Sequence, residues 1–495
     1  MSKPTEHKMM KVDQEKTISR RTFITGVGAA AGLAITRGEQ WLGHNYSDYS
    51  FQELFSVFEQ SLSETQRKHT FLAGDDPIRQ VTLTEAAHKG SPHIGTLYNN
   101  HQIGLIRHLY ASLLSSQGQK WMQNTINLEG RFEGSVLKIY SDDIGNASTN
   151  NSQVVINGGH YMLRSSDLSN SGYALGGPIA YGQQLGNNKY QVQGNAFKVH
   201  SDALNQLHKA LSASERNLAY KTSPPNELLL QTQGITSSTS GVRIGQVSDA
   251  AKEVAQEMMD TLFAGFTETQ KSEAWSAIDE NGGIDSLSVT MYTDFGFYPD
   301  VATYSDLSQE QRRSRGIPYV QVWRIEGPAF TMHFKGHPHV HAYMNIVRDP
   351  QKIAIGEVLT STEKPLDQSA TNRLIDTVLK HQTSELITFF PEMLLGRISP
   401  GAVSTGSIYT LDPFGNNIVV ADIRTEAMSS QLKQNLIKQG RTPQKNQTYK
   451  VATVDYMLRR KDIFGAPEDA SKGFGTLRDA LIQFVRDKDL SAYYG

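Results

Sequence analysis

The sequence predicts an α+β protein, with a larger N-terminal part that mixes helices and strands and a smaller α/β unit after it. Three observations carry this expectation. Capping boxes recur beside amphipathic segments, short β-like runs broken by Gly and Asn fill 130–200 and return at 319–334, and a fresh strand–helix alternation follows Asp349-Pro350. At 495 residues the chain exceeds what one core ordinarily serves, so more than one domain is expected.

The chain opens with TISRRTFITGVGAAAGLAIT at 17–36, in which Ser19, Arg20, Arg21, Phe23 and Ile24 stand in the order of a bacterial twin-arginine signal. The Gly/Ala-rich stretch after it is shorter than the roughly 20 strongly apolar residues of a spanning helix, so no permanent membrane anchor is expected. This assigns 1–38 to a signal, the export machinery as a partner, and the periplasm or exterior as the destination.

Helix starts come next. Ser63-Glu64-Thr65-Gln66, Ser212-Ala213-Ser214-Glu215, Thr267-Glu268-Thr269-Gln270 and Ser308-Gln309-Glu310-Gln311 all match a capping box. Residues 99–129 are helical in pattern, with Ile103, Ile106, Leu109 and Leu113 along one side. SVLKIYS, QVVINGG and HYMLRSS read as strands, as does YVQVWRIEGPAFTMHF, while 361–371 reads as surface loop near a boundary. These patterns place one domain at 45–350 and a second at 351–495. In the second, SIYTLDPFGNNIVVADI is a turn entering a buried strand, and Met428, Leu432 and Leu436 form a helical stripe closed by Gly440.

Composition excludes several chemistries. No cysteine is present, which removes thiolate metal sites, disulfides and cysteine nucleophiles. A net charge of −2 argues against a nucleic-acid partner. There is no GxGxxG, Walker A, HExxH or GxSxG pattern, so no nucleotide cofactor is expected.

The strongest chemical signal is FTMHFKGHPHVHAYMNIVRDP at 330–350. His333, His337, His339 and His341 share one parity, so an extended backbone projects their imidazoles from one face. Imidazole suits zinc, copper, nickel or ferrous iron. Gly336 and Pro338 interrupt the strand, which makes His339 and His341 the leading pair. His160, beside the Gly158-Gly159 turn, is the expected third ligand, with His333 or His337 as substitutes. Glu326 is the candidate catalytic carboxylate, and Glu326 or Asp349 the candidate acceptor that orients a ligand histidine.

With these motifs in view, 51–350 resembles the bacterial family catalogued as domain of unknown function 3500. The likeness lies in FQELFSVFEQSLSETQRKHTF, ASLLSSQGQKWMQNTINLEG, NGGHYML, ALGGPIAYG and the RIEGPAFTMHF…HVH…VRDP block. That family implies no established reaction. Residues 351–495 resemble the C-terminal substrate-binding domain of 5′-nucleotidases, through LDPFGNNIVV at 411–420 and YKVATVDY at 449–456. This resemblance implies ligand-holding roles for Phe414 and Asn416, with Phe464 near a second stacking aromatic. The metallophosphoesterase ligand series of those enzymes is absent. The combined expectation is an exported metal-dependent hydrolase acting on a small molecule with zinc or copper; a non-catalytic metal- or ligand-binding protein and a copper-dependent oxidoreductase are the alternatives.

Overall fold

The computed structural model describes residues 49–129, 132–165, 172–184, 195–228, 230, 240–293, 297–298, 319–336, 339–349, 356–390, 398 and 400–494. The Arg20-Arg21 signal, the Ser308 capping box and His337 lie outside the described residues.

One large mixed sheet organises 71–346. Its strands are β1 (Phe71–Ala73), β2 (Val136–Ser141), β3 (Ser152–Asn157), β4 (Met162–Arg164), β5 (Ile179–Gln183), β6 (Tyr220–Lys221), β7 (Val242–Arg243), β8 (Ser288–Tyr292), β11 (Val322–Glu326), β12 (Phe330–Lys335) and β13 (Val340–Ile346). The short pair β9 (Phe297–Tyr298) and β10 (Tyr319–Val320) stands apart. The order in the large sheet is β1-β2-β3-β4-β5-β13-β12-β11-β8-β6, with β7 also paired to β8. The central join, β5 beside β13, brings the 160s hairpin near the 340s without local sequence contact.

Period-two alternation divides this sheet into two unlike faces. On one, Phe330 and Phe334 pack against Phe263 and His200 from the helices Asp249–Phe263 and Lys198–Ala210. Capping boxes at Ser63, Ser212 and Thr267 start the helices Glu64–Thr70, Ala213–Ala219 and Glu268–Glu280 as the sequence predicts. The helical pattern at 99–129 divides into Asn100–Ser112 and Ser116–Glu129. The break falls at Leu114, which bridges to Phe266, and at Ser115, whose amide donates to Gly265 O.

The other face carries Tyr140, Val155, Met162, Ala180 and Tyr343, covered by Val81, Leu230 and two residues of the C-terminal region, Tyr409 and Phe414. That region has its own core, whose buried members run from Leu359 to Leu490. It contains β14 (Val358–Thr362) paired with β15 (Gly401–Ser404), and β16 (Ile418–Arg424) between β17 (Thr448–Val454) and β18 (Asp469–Ser471). Two sequence expectations change here. Of residues 361–371, expected as loop, only 363–367 lie between elements: 361–362 end β14, and 368–371 begin a helix, Gln368–Thr383, capped by Asp367. SIYTL is the end of the helix Thr405–Leu411, not part of a turn. The expected helix Ser430–Lys438 buries Leu432 and Leu436, and Gly440 follows its end at φ 74°. Among the described residues no helix is long and apolar enough to cross a membrane.

Candidate metal centre

His341 lies on β13 opposite Lys335 of β12 and Gly182 of β5. A Cβ at Gly182 would sit 2.1 Å from Val340 O, so glycine is what lets β5 close against the strand that carries His341. His339 immediately precedes β13. His160 lies in the turn joining β3 to β4, closed by Gly158 N donating to Tyr161 O at 2.7 Å. The Tyr161 ring occupies the space where a Gly158 side chain would stand.

The β5–β13 pairing places His160 beside the other two histidines. One nitrogen from each of His160, His339 and His341 lies within 4.8 Å of the others. Ring centroids are 5.2 Å apart for His160–His339, 5.2 Å for His160–His341 and 4.4 Å for His339–His341. His339 Nε2 and His341 Nε2 are 2.8 Å apart, one donating and the other accepting. Two imidazoles on one tetrahedral ion at about 2.0–2.1 Å would sit about 3.3 Å apart. A spread of about half an ångström converts this hydrogen-bonded pair into a ligand pair.

The carboxylate that orients the centre is Glu227, a residue the sequence reading did not single out. His341 Nδ1 donates to Glu227 Oε2 at 3.0 Å, which leaves Nε2 turned toward His339. Burial pushes the Glu227 carboxyl up, but the hydrogen bond and charge of His341, with Lys335 and His333, outweigh it and hold it at about 2. Lys335 Nζ is 3.8 Å from the same oxygen. Burial, then the adjacent His341 and His160 rings, lower His339 to about 4, so its imidazole is neutral at neutral pH. Glu227 follows Pro224-Pro225, and Asn226 Oδ1 accepts from Leu228 N, so a local turn presents it. That turn was the only signal in the sequence.

The two carboxylates expected to do this work are elsewhere. Glu326 is on β11, two strands from β13, and pairs with Arg324 at 2.8 Å. Asp349 follows β13, where its amide donates to Gly172 O. Neither lines the cavity beside the histidines. His333 shares the face of His341, as parity predicts, but antiparallel register sets it opposite Tyr343. It is 1% exposed and outside the three-histidine group.

The three histidines open onto a cavity of about 940 Å³ between the sheet and the C-terminal region. Phe414 and Asn416 line it, as do Tyr456, Lys89 and Arg459. Asp412 shapes this wall by accepting from Asn416 N and Nδ2, while Arg478 donates to the carbonyls of Asp412 and Pro413. The turn so held presents Phe414, whose ring lies 5.8 Å from Lys89 Nζ. Phe464 is a correction: it is fully buried against Phe389 in the C-terminal core and cannot stack on a ligand in this cavity.

Fold and site together define an α+β protein with a three-imidazole centre facing a cavity roofed by a second core. No protein-family model matches the chain, and no curated protein matches it. Among solved structures, the 5′-nucleotidase precursor from Thermus thermophilus is similar over 34% of this chain and 48% of that chain. The identity is 11% and the TM-score 0.23, too loose a likeness to establish a shared fold.

Proposed function

We propose that this protein is a metal-dependent hydrolase of a small organic substrate, with the ion held by His160, His339 and His341. One observation carries the reading: three imidazoles from two distant segments converge within 4.8 Å at the wall of a cavity of about 940 Å³. Three protein ligands leave a coordination position open, the arrangement of catalytic and not of structural zinc. A bound zinc ion would supply Lewis acidity and a water of pKa about 7. Glu227 fixes the tautomer and direction of His341, and Lys335 adds positive charge beside that carboxylate. The C-terminal region limits entry of bulk water and presents Phe414 and Asn416 to the substrate. Its sequence resemblance to the substrate-binding domain of 5′-nucleotidases is what favours hydrolysis over oxidation.

Metal content is the test. Protein purified from its native export route should contain stoichiometric zinc, His341→Ala should lose it, and metal-dependent release of p-nitrophenol from ester or phosphate probes should follow zinc occupancy. Stoichiometric copper would shift the reading to an oxidoreductase. Zinc without turnover would favour a binding protein, and no metal would overturn the proposal. Export rests on the Arg20-Arg21 segment alone. Replacing both with Lys should strand the protein in the cytoplasm, and unchanged periplasmic accumulation would remove the export reading.

A further inference from the structure

His341, Tyr343 and Asn345 occupy alternate positions of β13, and all three line the cavity. Asn345 is 6% exposed. Its Nδ2 donates to Leu230 O at 2.8 Å, which fixes the amide, because a flip would set two oxygens against each other. The opposite atom, Oδ1, is buried and has no hydrogen-bond partner. A buried acceptor left in this state costs about 1–3 kcal/mol, and a matching donor removes that cost. The wall between the two polar ends is largely apolar: Tyr343, Ala180 and Leu230 belong to one buried cluster, with Leu228 packed against it. Glu227 and Leu230 are each tied to β13, the first to His341 and the second, through its carbonyl, to Asn345.

We propose that Asn345 is a specificity-determining residue whose Oδ1 receives a neutral O–H or N–H donor of the substrate. Asn345 stands four positions beyond His341 on the strand, so that donor lies roughly 13 Å along the cavity from the metal centre. The substrate class is therefore an elongated molecule with a metal-reactive group at one end, an apolar body and a hydroxyl or amide N–H at the other. A charged ammonium fits less well, because an apolar wall does not repay its lost hydration. This inference rests on the metal reading above, and its test separates the two.

Hydroxamic acids serve as probes, since the hydroxamate group ligates zinc and the tail measures the cavity. Full-length, zinc-loaded protein is titrated calorimetrically with ω-hydroxyoctanohydroxamic acid and with nonanohydroxamic acid, which ends in methyl at the same chain length. A short pair, ω-hydroxybutanohydroxamic and pentanohydroxamic acids, cannot reach Asn345. In the wild type, the hydroxyl-to-methyl affinity ratio should be about tenfold higher for the long pair than for the short pair. Asn345→Leu should erase that difference while retaining zinc. A length-independent ratio in the wild type would overturn the role of Asn345 and leave the metal reading intact. Loss of zinc from Asn345→Leu would also overturn it, by showing that Asn345 acts through Leu230 and Glu227. Failure of the wild type to bind zinc would overturn both readings.

Discussion

The two faces of β13 are unlike. Val340, Ala342, Met344 and Ile346 point to the helical side and are fully buried apolar groups. His341, Tyr343 and Asn345 alternate with them and face the cavity. The first set holds the strand by close packing. The second lines a space large enough for a ligand, with polar side chains at His341 and Asn345 on either side of the packed Tyr343. One strand thus separates stability from chemistry by side-chain parity, and substitutions on its two faces should fail in different ways.

The largest effect is expected from the packed side. Phe334, on β12, stacks on Trp323 at 5.1 Å between ring centroids and contacts His200. Phe334→Ala should cost about 3–5 kcal/mol in urea unfolding. His341→Ala, on the open side, should cost less, about 1–3 kcal/mol for the partner lost to the Glu227 carboxylate, while abolishing zinc uptake. Equal losses of stability from both would break the comparison. Glu227→Gln should lower zinc affinity about 10–100-fold with little change in unfolding, because it removes the charge that orients His341 and keeps the shape. A chelator-competition titration reads this out, and an unchanged affinity would demote Glu227 to an ordinary ion-pair partner.

A smaller effect involves the only imidazole among the helical-face contacts described above. His200 is fully buried, enclosed by Trp121, Phe197, Tyr181 and Phe334, and neither ring nitrogen has a hydrogen-bond partner. Burial lowers its pKa from 6.5 to about 3. The unfolded chain therefore takes up a proton below pH 6.5 that the folded chain refuses. Stability from this group is fully present above pH 6.5 and is lost as pH falls toward 3. Between pH 6.5 and 5 the loss is about 2 kcal/mol. His200→Phe should flatten that slope without abolishing it, since His88 is lowered to about 3 in the same way, by burial first and then by Lys138 and Arg164. Urea midpoints at several pH values measure it, and an unaltered slope would mean that His200 finds a partner in solution.

Much of the local structure was legible because its causes are local. A Ser or Thr three residues before Glu or Gln is enough to start a helix, and the boxes at Ser63, Ser212 and Thr267 do so. Alternate spacing placed His333 and His341 on one face, and the Gly pair beside His160 marked a turn. The same parity extends to Tyr343 and Asn345, and following it two steps further would have found two more residues of the cavity wall. Phe414, Asn416 and Phe464 came from a family resemblance; the first two line the cavity, whereas Phe464 does not, because burial in a separate core depends on what packs around it.

By itself, the sequence determined several capped helix starts, a number of the strands, the shared face of His333 and His341 and the residue types able to ligate a metal. Those properties follow from backbone geometry and from neighbours within a few positions. Only the tertiary structure decided that β5 lies beside β13, that register moves His333 away from the three-histidine group, and that Glu227, 114 residues from His341, supplies the orienting carboxylate. Strand order and long-range hydrogen bonds are properties of the whole packed chain, since each closes a loop whose entropy is offset only when many distant contacts form together.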